Sequence, residues 1–376
     1  MRQLRIGLYV SQADNGVGRY LRDLVEVLPA VGPPHEYFLY GEASVLRRIR
    51  GTARVHHRIV PDARDRGAVW RQIQVEIPLR ASADRIDLLH THAHCLPVGT
   101  PCRTVVTLHD AIPVLTPRQT LWHGWRRTAG QQLRVATRLA DQLIVSSRYT
   151  QRLLIERLRI SPRKVTQIYL GCPQQFGPTN GAEARRWVRQ RFGLHRPYLL
   201  SVGPLIPRKN HPMLIQAFRR RTARTHDLVI VGQLWWWGHH VLRLIDGDSA
   251  IRYLGYVTDH ALHRLYAGAE GLVYASADEG FGLPPLEAMA CGTPVVAFRA
   301  ASIPEVVGDA GLLVEPRSVS RLADALETLI ASPRLQETLR RRGLARARRF
   351  QWEATARQTL AVYERVVGQG ATRGSR

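Results

Sequence analysis

Two carboxylates and two adjacent cations are the residues of this 376-residue chain best placed to do chemistry. The stretch 277–296, ADEGFGLPPLEAMACGTPVV, sets Glu279 and Glu287 with seven residues between them, in a run dominated by small, apolar and chain-bending residues. Upstream, SVGPLIPRKNHP puts Arg208 and Lys209 side by side after a strand pattern and ahead of a helical one. Neighbouring cations at a helix start suit a phosphate or diphosphate. Only Lys164 and Lys209 are lysines, against 52 arginines, so a lysine here suggests a need for a compact ammonium. Pro284 and Pro285 lack N–H groups, so an anion at the helix start they open would use the amides of Gly280, Phe281, Gly282 and Leu283. A carboxylate beside a bound phosphate would repel it. Glu287 is therefore expected to accept from hydroxyls, such as those of a ribose, leaving Glu279 at the reacting end.

Other candidates are weaker. NGVGRY opens a helical pattern with Gly16 and Gly18, where a ligand could approach the backbone. A dinucleotide fingerprint would need a further glycine where this chain has Leu21, and a tight turn without a ligand is the alternative. TVVTLHDAIP leaves His109 at a strand end, either hydrogen-bonding a substrate or serving as acid or base, or simply capping the strand. His90, His92 and His94 would share one face of an extended segment, a spacing that resembles a metal site but has no acidic or Cys partner at a suitable distance, and the DGD of Asp246 and Asp248 sits among turn formers after a helical pattern, so no metal is expected. Trp235, Trp236 and Trp237 either stack a base, a sugar or a lipid headgroup, or pack beneath a loop.

The elements that must hold these residues alternate between short β-branched runs and helical patterns, the signature of α/β units with parallel sheets. Strands are expected at 4–10, 37–40, 87–90, 104–109, 142–146 and 165–170, then at 198–202, 228–231, 251–254, 271–275, 294–298 and 312–314. Two sets of about six imply two doubly wound domains, in which ligands bind where strand ends meet helix starts. The Gly- and Pro-rich stretch 171–180 is the expected linker. This gives an N-terminal domain over 1–180, a C-terminal domain over 181–351, and over 352–376 a helical pattern followed by a Gly, Ser, Thr and Arg tail. The helix either closes the second domain or crosses back to the first.

Composition fits a folded, two-domain protein with 45% hydrophobic residues. No apolar run reaches a membrane span, and four cysteines without paired spacing suit a reducing compartment, so a cytoplasmic location is expected. The net charge of +24 invites a nucleic-acid reading. The positive charge is nearly all arginine and spread along the chain, which speaks against nucleic acid and leaves either an anionic membrane surface or phospholipid-linked substrate, or plain solvated faces. The basic, amphipathic pattern at 117–140, with Trp122 and Trp125 near its start, either meets anionic lipid or packs on its own domain.

Taken together, GVGRYLRDL, TVVTLHDAIP, ADQLIVSSRYTQRLL, YLLSVGPLIPRKN, RYLGYV, EGFGLPPLEAMACGTPVVAF and IPEVVGDAGLLVEP make the chain resemble, over nearly its whole length, the family 4 retaining glycosyltransferases and among them the mannosyltransferase-like group of bacterial surface-polysaccharide synthesis. The resemblance implies GT-B architecture, two Rossmann-like domains facing a central cleft. It implies transfer of a hexose, with mannose from GDP-mannose favoured, from a nucleotide sugar to a saccharide or polyprenyl-diphosphate-linked acceptor, without metal or other cofactor. A UDP-sugar-dependent glucosyl- or N-acetylhexosaminyltransferase is the alternative. Carried over by position, Gly16 lies against the donor diphosphate and His109 contacts the transferred sugar. Arg208 and Lys209 neutralise the leaving group, and Glu279 contacts the sugar. Residues 280–283 hold donor hydroxyls or phosphate, Glu287 binds ribose, and Tyr256 and Val257 take the nucleobase through backbone. A lipid-linked acceptor would place the protein peripherally on the inner face of the membrane.

Overall fold

A computed structural model describes residues 2–10, 16–49, 51–63, 65–92, 96–111 and 123–371. They form two compact units, and the division falls at Gly171, with the second unit spanning Cys172–Phe350 and the chain from Gln351 onward belonging to the first.

The first unit carries β1 (Arg5–Tyr9), β2 (Glu36–Gly41), β3 (Val55–Ile59), β4 (Leu88–His92), β5 (Arg103–Leu108), β6 (Gln142–Val145) and β7 (Val165–Gln167). All pair in parallel, in the order β3-β2-β1-β4-β5-β6-β7. The seventh strand, β3, is absent from the sequence expectation for a physical reason. Its residues VHHRI lie at the sheet edge with only Val55 buried, so no apolar run marks it. Helix α1 (Gly16–Val31) follows β1, and α2 (His123–Leu139) lies between β5 and β6. Leu133 and Ala136 of α2 pack into a core with Val106, Leu108, Leu143 and Val145, so this part of the helix covers its own sheet. Trp122 lies outside the described residues, as does the side chain of Trp125.

The second unit carries β8 (Tyr198–Val202), β9 (Asp227–Val231), β10 (Ile251–Gly255), β11 (Gly271–Tyr274), β12 (Val295–Phe298) and β13 (Gly311–Val314), again parallel, in the order β10-β9-β8-β11-β12-β13. Helices α3 (His211–Arg221), α4 (Gly238–Ile245), α5 (Asp259–Gly268) and α6 (Leu283–Ala290) follow β8, β9, β10 and β11 in turn. Strands such as DLVIV and VVAF are buried on every residue, as sheets covered on both faces require.

The last helix, α7 (Trp352–Ala371), packs against α1. Trp352, Ala356, Leu360, Val362, Tyr363 and Val366 are buried, and Thr355 Oγ1 donates to the carbonyl of Tyr169 at 2.8 Å. No described helix is long and apolar enough to cross a membrane.

Candidate active site

Both sheets reverse their strand order at one place, between β1 and β4 in the first unit and between β8 and β11 in the second, and crevices at the carboxyl ends of such strand pairs are where ligands bind. In the second unit this place is built by the segments after β8 and β11, which carry the two motifs 70 residues apart in sequence. They are stitched together by main chain, with the Ala277 amide donating to the Arg208 carbonyl at 2.8 Å.

Arg208 and Lys209 occupy a one-turn 3₁₀ segment, Pro207–Lys209, ended by Asn210 in the left-handed region at φ 59°. The stem of Lys209 runs over Gly203, whose φ is +146° and whose missing side chain matters: a Cβ there would stand 2.9 Å from Lys209 Cε. Glycine is thus required twice over, for backbone and for clearance. Across the switch point, Gly282 takes φ 107° at the start of α6 and Pro284 and Pro285 form its first turn, as expected from sequence. Ser302 Oγ donates to the carbonyls of Glu279 and Phe281 at 2.9 and 2.7 Å, fixing the loop between Glu279 and the helix.

Glu279 is 8% exposed. Its Oε1 accepts from Arg208 Nη1 at 2.8 Å, Lys209 Nζ at 2.6 Å and Ser276 Oγ at 2.5 Å. All three bonds land on one oxygen, and Oε2 carries none of them. Burial by itself would raise this carboxyl, but Arg208, Lys209 and the hydrogen bonds from Lys209 and Ser276 hold it down at about 2. Lys209 moves the other way. Burial brings its ammonium down to about 8, with Arg208 adding to the fall and Glu279 opposing it. Among themselves the hydrogen-bonded charged side chains are one carboxylate and two cations. It can receive an anion and a hydroxyl side by side.

Glu287 sits apart from this group. It is buried in α6, and its Oε2 accepts from Tyr266 Oη of α5 at 2.9 Å. Tyr256 and Val257 follow β10, with Tyr256 57% exposed. Trp237 packs against the core of this unit and against His240, whereas Trp235 and Trp236 are half exposed. Asp248 is held by Arg219 Nε at 2.9 Å and by the Ala250 amide, which gives the DGD a structural partner.

In the first unit, Gly16 and Gly18 lie in the opening turn of α1, and His109 is the residue after β5, its ring edge-on to Tyr20 at 4.9 Å. Ser146 Oγ donates to the His109 carbonyl at 3.3 Å. Deeper, His90 is fully buried between Tyr363 Oη at Nδ1, 2.5 Å, and Thr107 Oγ1 at Nε2, 2.8 Å, and Thr107 also bonds Tyr20 Oη at 3.1 Å. Burial, with a smaller push from His92, keeps His90 neutral by lowering it to about 3. His92 stacks on Tyr9, and His94 lies outside the described residues.

The site residues not anticipated from sequence are Tyr274, Ser276, Tyr266 and Ser302. Ser276 and Tyr274 lie only three and five residues before Glu279, close enough to have been tested as its supports.

Comparison with known proteins bears on the family and the fold. Residues 14–176 match the model described as Glycosyltransferase Family 4, and residues 196–332 the model described as Glycosyl transferases group 1. The O-antigen chain mannosyltransferase B of Escherichia coli is 30% identical over 366 residues, covering 93% of this chain and 96% of that protein. Among solved structures, the sucrose-phosphate synthase of Thermosynechococcus elongatus superposes with a TM-score of 0.78 at 21% identity, covering 98% of this chain and all of the other. The HepE protein of Anabaena, determined in complex with UDP-glucose, does so with 0.74 at 20% identity, covering 96% and 99%. These structures share the GT-B fold.

Proposed function

The chain belongs to the family 4 glycosyltransferases, and from that premise we propose that it transfers a hexose, mannose from GDP-mannose, to a saccharide or polyprenyl-diphosphate-linked acceptor in cell-surface polysaccharide synthesis, with retention at the anomeric carbon. The observation that carries the reading is the cluster at the β8–β11 switch point: Glu279 Oε1 fixed by Arg208, Lys209 and Ser276. In this reading Arg208 and Lys209 meet the diphosphate and Glu279 Oε2 accepts a hydroxyl of the transferred sugar. The amides of residues 280–283, Gly16 and Gly18 line the donor, Tyr256 and Val257 take the base, and Glu287 takes the ribose. His109 contacts the sugar.

The chemistry follows from where charge develops. As the bond from the anomeric carbon to the phosphate oxygen breaks, negative charge grows on the departing diphosphate, and cations already fixed there stabilise it without reorganising. A double displacement would need a carboxylate free to attack the anomeric carbon. Glu279, held at about 2 by two cations, is a poor base and a poor nucleophile. That favours same-face attack by the acceptor hydroxyl, its proton passing to the departing phosphate oxygen. No step in this scheme calls for a metal or other cofactor. The net charge of +24 supports peripheral binding to an anionic membrane, where a lipid-linked acceptor would be met.

The test is nucleotide release with a panel of GDP-, UDP- and ADP-sugars, with product anomers read by NMR. GDP-mannose should give the fastest release, and Glu279→Ala should lose at least 100-fold, on the order of one lost transition-state contact. Release only from a UDP-sugar would replace the donor, and undiminished transfer by the variant would refute the site.

A further inference from the structure

We infer that Tyr274 is a positioning residue for Lys209: its phenol oxygen and Glu279 together tether two of the three ammonium hydrogens, so that the third is aimed at the anion. The inference rests on the functional reading above for the identity of that anion, a diphosphate, and on geometry for the rest.

Tyr274 is the last residue of β11, 2% exposed and locked in register against Ala297 of β12. Lys209 Nζ donates to its Oη at 2.5 Å and to Glu279 Oε1 at 2.6 Å. The nitrogen stands 4.6 Å from the ring centroid, much farther than from the oxygen, so it lies off the hydroxyl end and not over the ring face. The contact is a hydrogen bond to oxygen, which phenylalanine cannot replace. An ammonium is a rotating tripod on a flexible stem, and a single acceptor leaves it free to turn about that bond. A second acceptor, from a strand on the other side of the switch point, removes this freedom, while the missing side chain at Gly203 leaves room for the stem. Burial and the Glu279 charge keep the phenol protonated, so its oxygen is available as an acceptor at all working pH values.

The chain's two lysines make a direct test possible. With ¹³C- and ¹⁵N-labelled lysine, NMR gives two side-chain signals, and Lys164→Arg identifies that of Lys209. Tyr274→Phe should lower the Lys209 pKa, because the charged form loses an acceptor, and should cut kcat for transfer by roughly tenfold with donor KM changed less than threefold, the size of one hydrogen bond to a charged group. In a Lys209→Met background the same substitution should cost nothing further. An unchanged Lys209 titration, or a full additional loss in that background, overturns the inference. If the wild type transfers from no donor, the functional reading fails and the titration still decides on Tyr274. Should Tyr274→Phe not fold, the wild type decides alone. A doubly tethered ammonium exchanges its protons more slowly than half-buried Lys164, whose ammonium donates to the Arg138 carbonyl at 2.7 Å, and equal rates refute the tether.

Discussion

The two units share one sheet plan, and the described residues near its reversal point differ in kind. Between β8 and β11 the crevice holds two cations and a carboxylate. Near the reversal between β1 and β4, His90, Thr107, Tyr20 and Tyr363 form a closed, uncharged network, and Tyr363 comes from α7, the last helix of the chain. Strand order supplies a place, and side chains decide what chemistry that place can do. A charged group costs much to bury unless something pairs with it, so a buried cluster of unequal charge favours a ligand that completes it. The neutral network has no such demand: each polar atom named there already has its partner.

This contrast predicts that the two places break differently. The largest effect is expected for Lys209→Met, which keeps an unbranched stem as far as Cε and removes the charged end. Transfer should fall roughly 10²–10³-fold in kcat/KM, as for loss of one preorganised group at a developing anion. Thermal stability should change much less than activity, since the end of a buried ammonium is offset against Glu279 losing one of its two cations. Initial-rate kinetics beside a melting curve separate the two. A variant that melts early and transfers normally once folded would erase the contrast.

How far the sequence announces these two places differs for the same reason. Glu279, Arg208, Lys209 and the proline-led start of α6 are legible because loops at strand ends use residue types that have few structural uses there. Tyr274, Ser276 and Ser302 are ordinary residues that acquire a role only when β11 lies beside β8, a long-range fact. The network of His90 with Tyr363 joins residues 273 apart, and no local pattern announces it. The edge strand β3 and the split among Trp235, Trp236 and Trp237 escaped for a related cause: exposure on a loop or sheet edge has no periodicity. Glu287 shows the limit of spacing arguments. Its place in α6 is readable, but its bond to Tyr266 depends on how α5 and α6 meet.

The neutral network should break as stability. Tyr363→Phe removes one hydroxyl and leaves a ring nitrogen of His90 buried without its partner, a cost of about 1–3 kcal/mol. Denaturant unfolding should shift by that amount, while the kcat of the folded protein stays within twofold. A large fall in kcat without loss of stability would mean that the network serves the chemistry after all.

The smallest effect, and the one that best isolates the charged site, is its pH dependence. Lys209 is lowered to about 8 in the free protein, so above that pH it begins to lose its proton and its positive charge with it. The kcat/KM profile, which reports the free enzyme, should therefore fall on its alkaline side from about pH 8, by up to tenfold per unit. A bound diphosphate favours the charged ammonium, so the alkaline limb of kcat should lie at higher pH than that of kcat/KM. Stability has the opposite slope. Because the folded pKa lies below the unfolded value, the unfolded chain binds the extra proton between about pH 8 and 10.5, and this group's contribution makes the fold more stable as pH rises through that window. Activity falling while this contribution to stability grows is the signature of a buried cation retained for its ligand. In Lys209→Met both trends should vanish, and an alkaline limb that survives the substitution would assign it to another group.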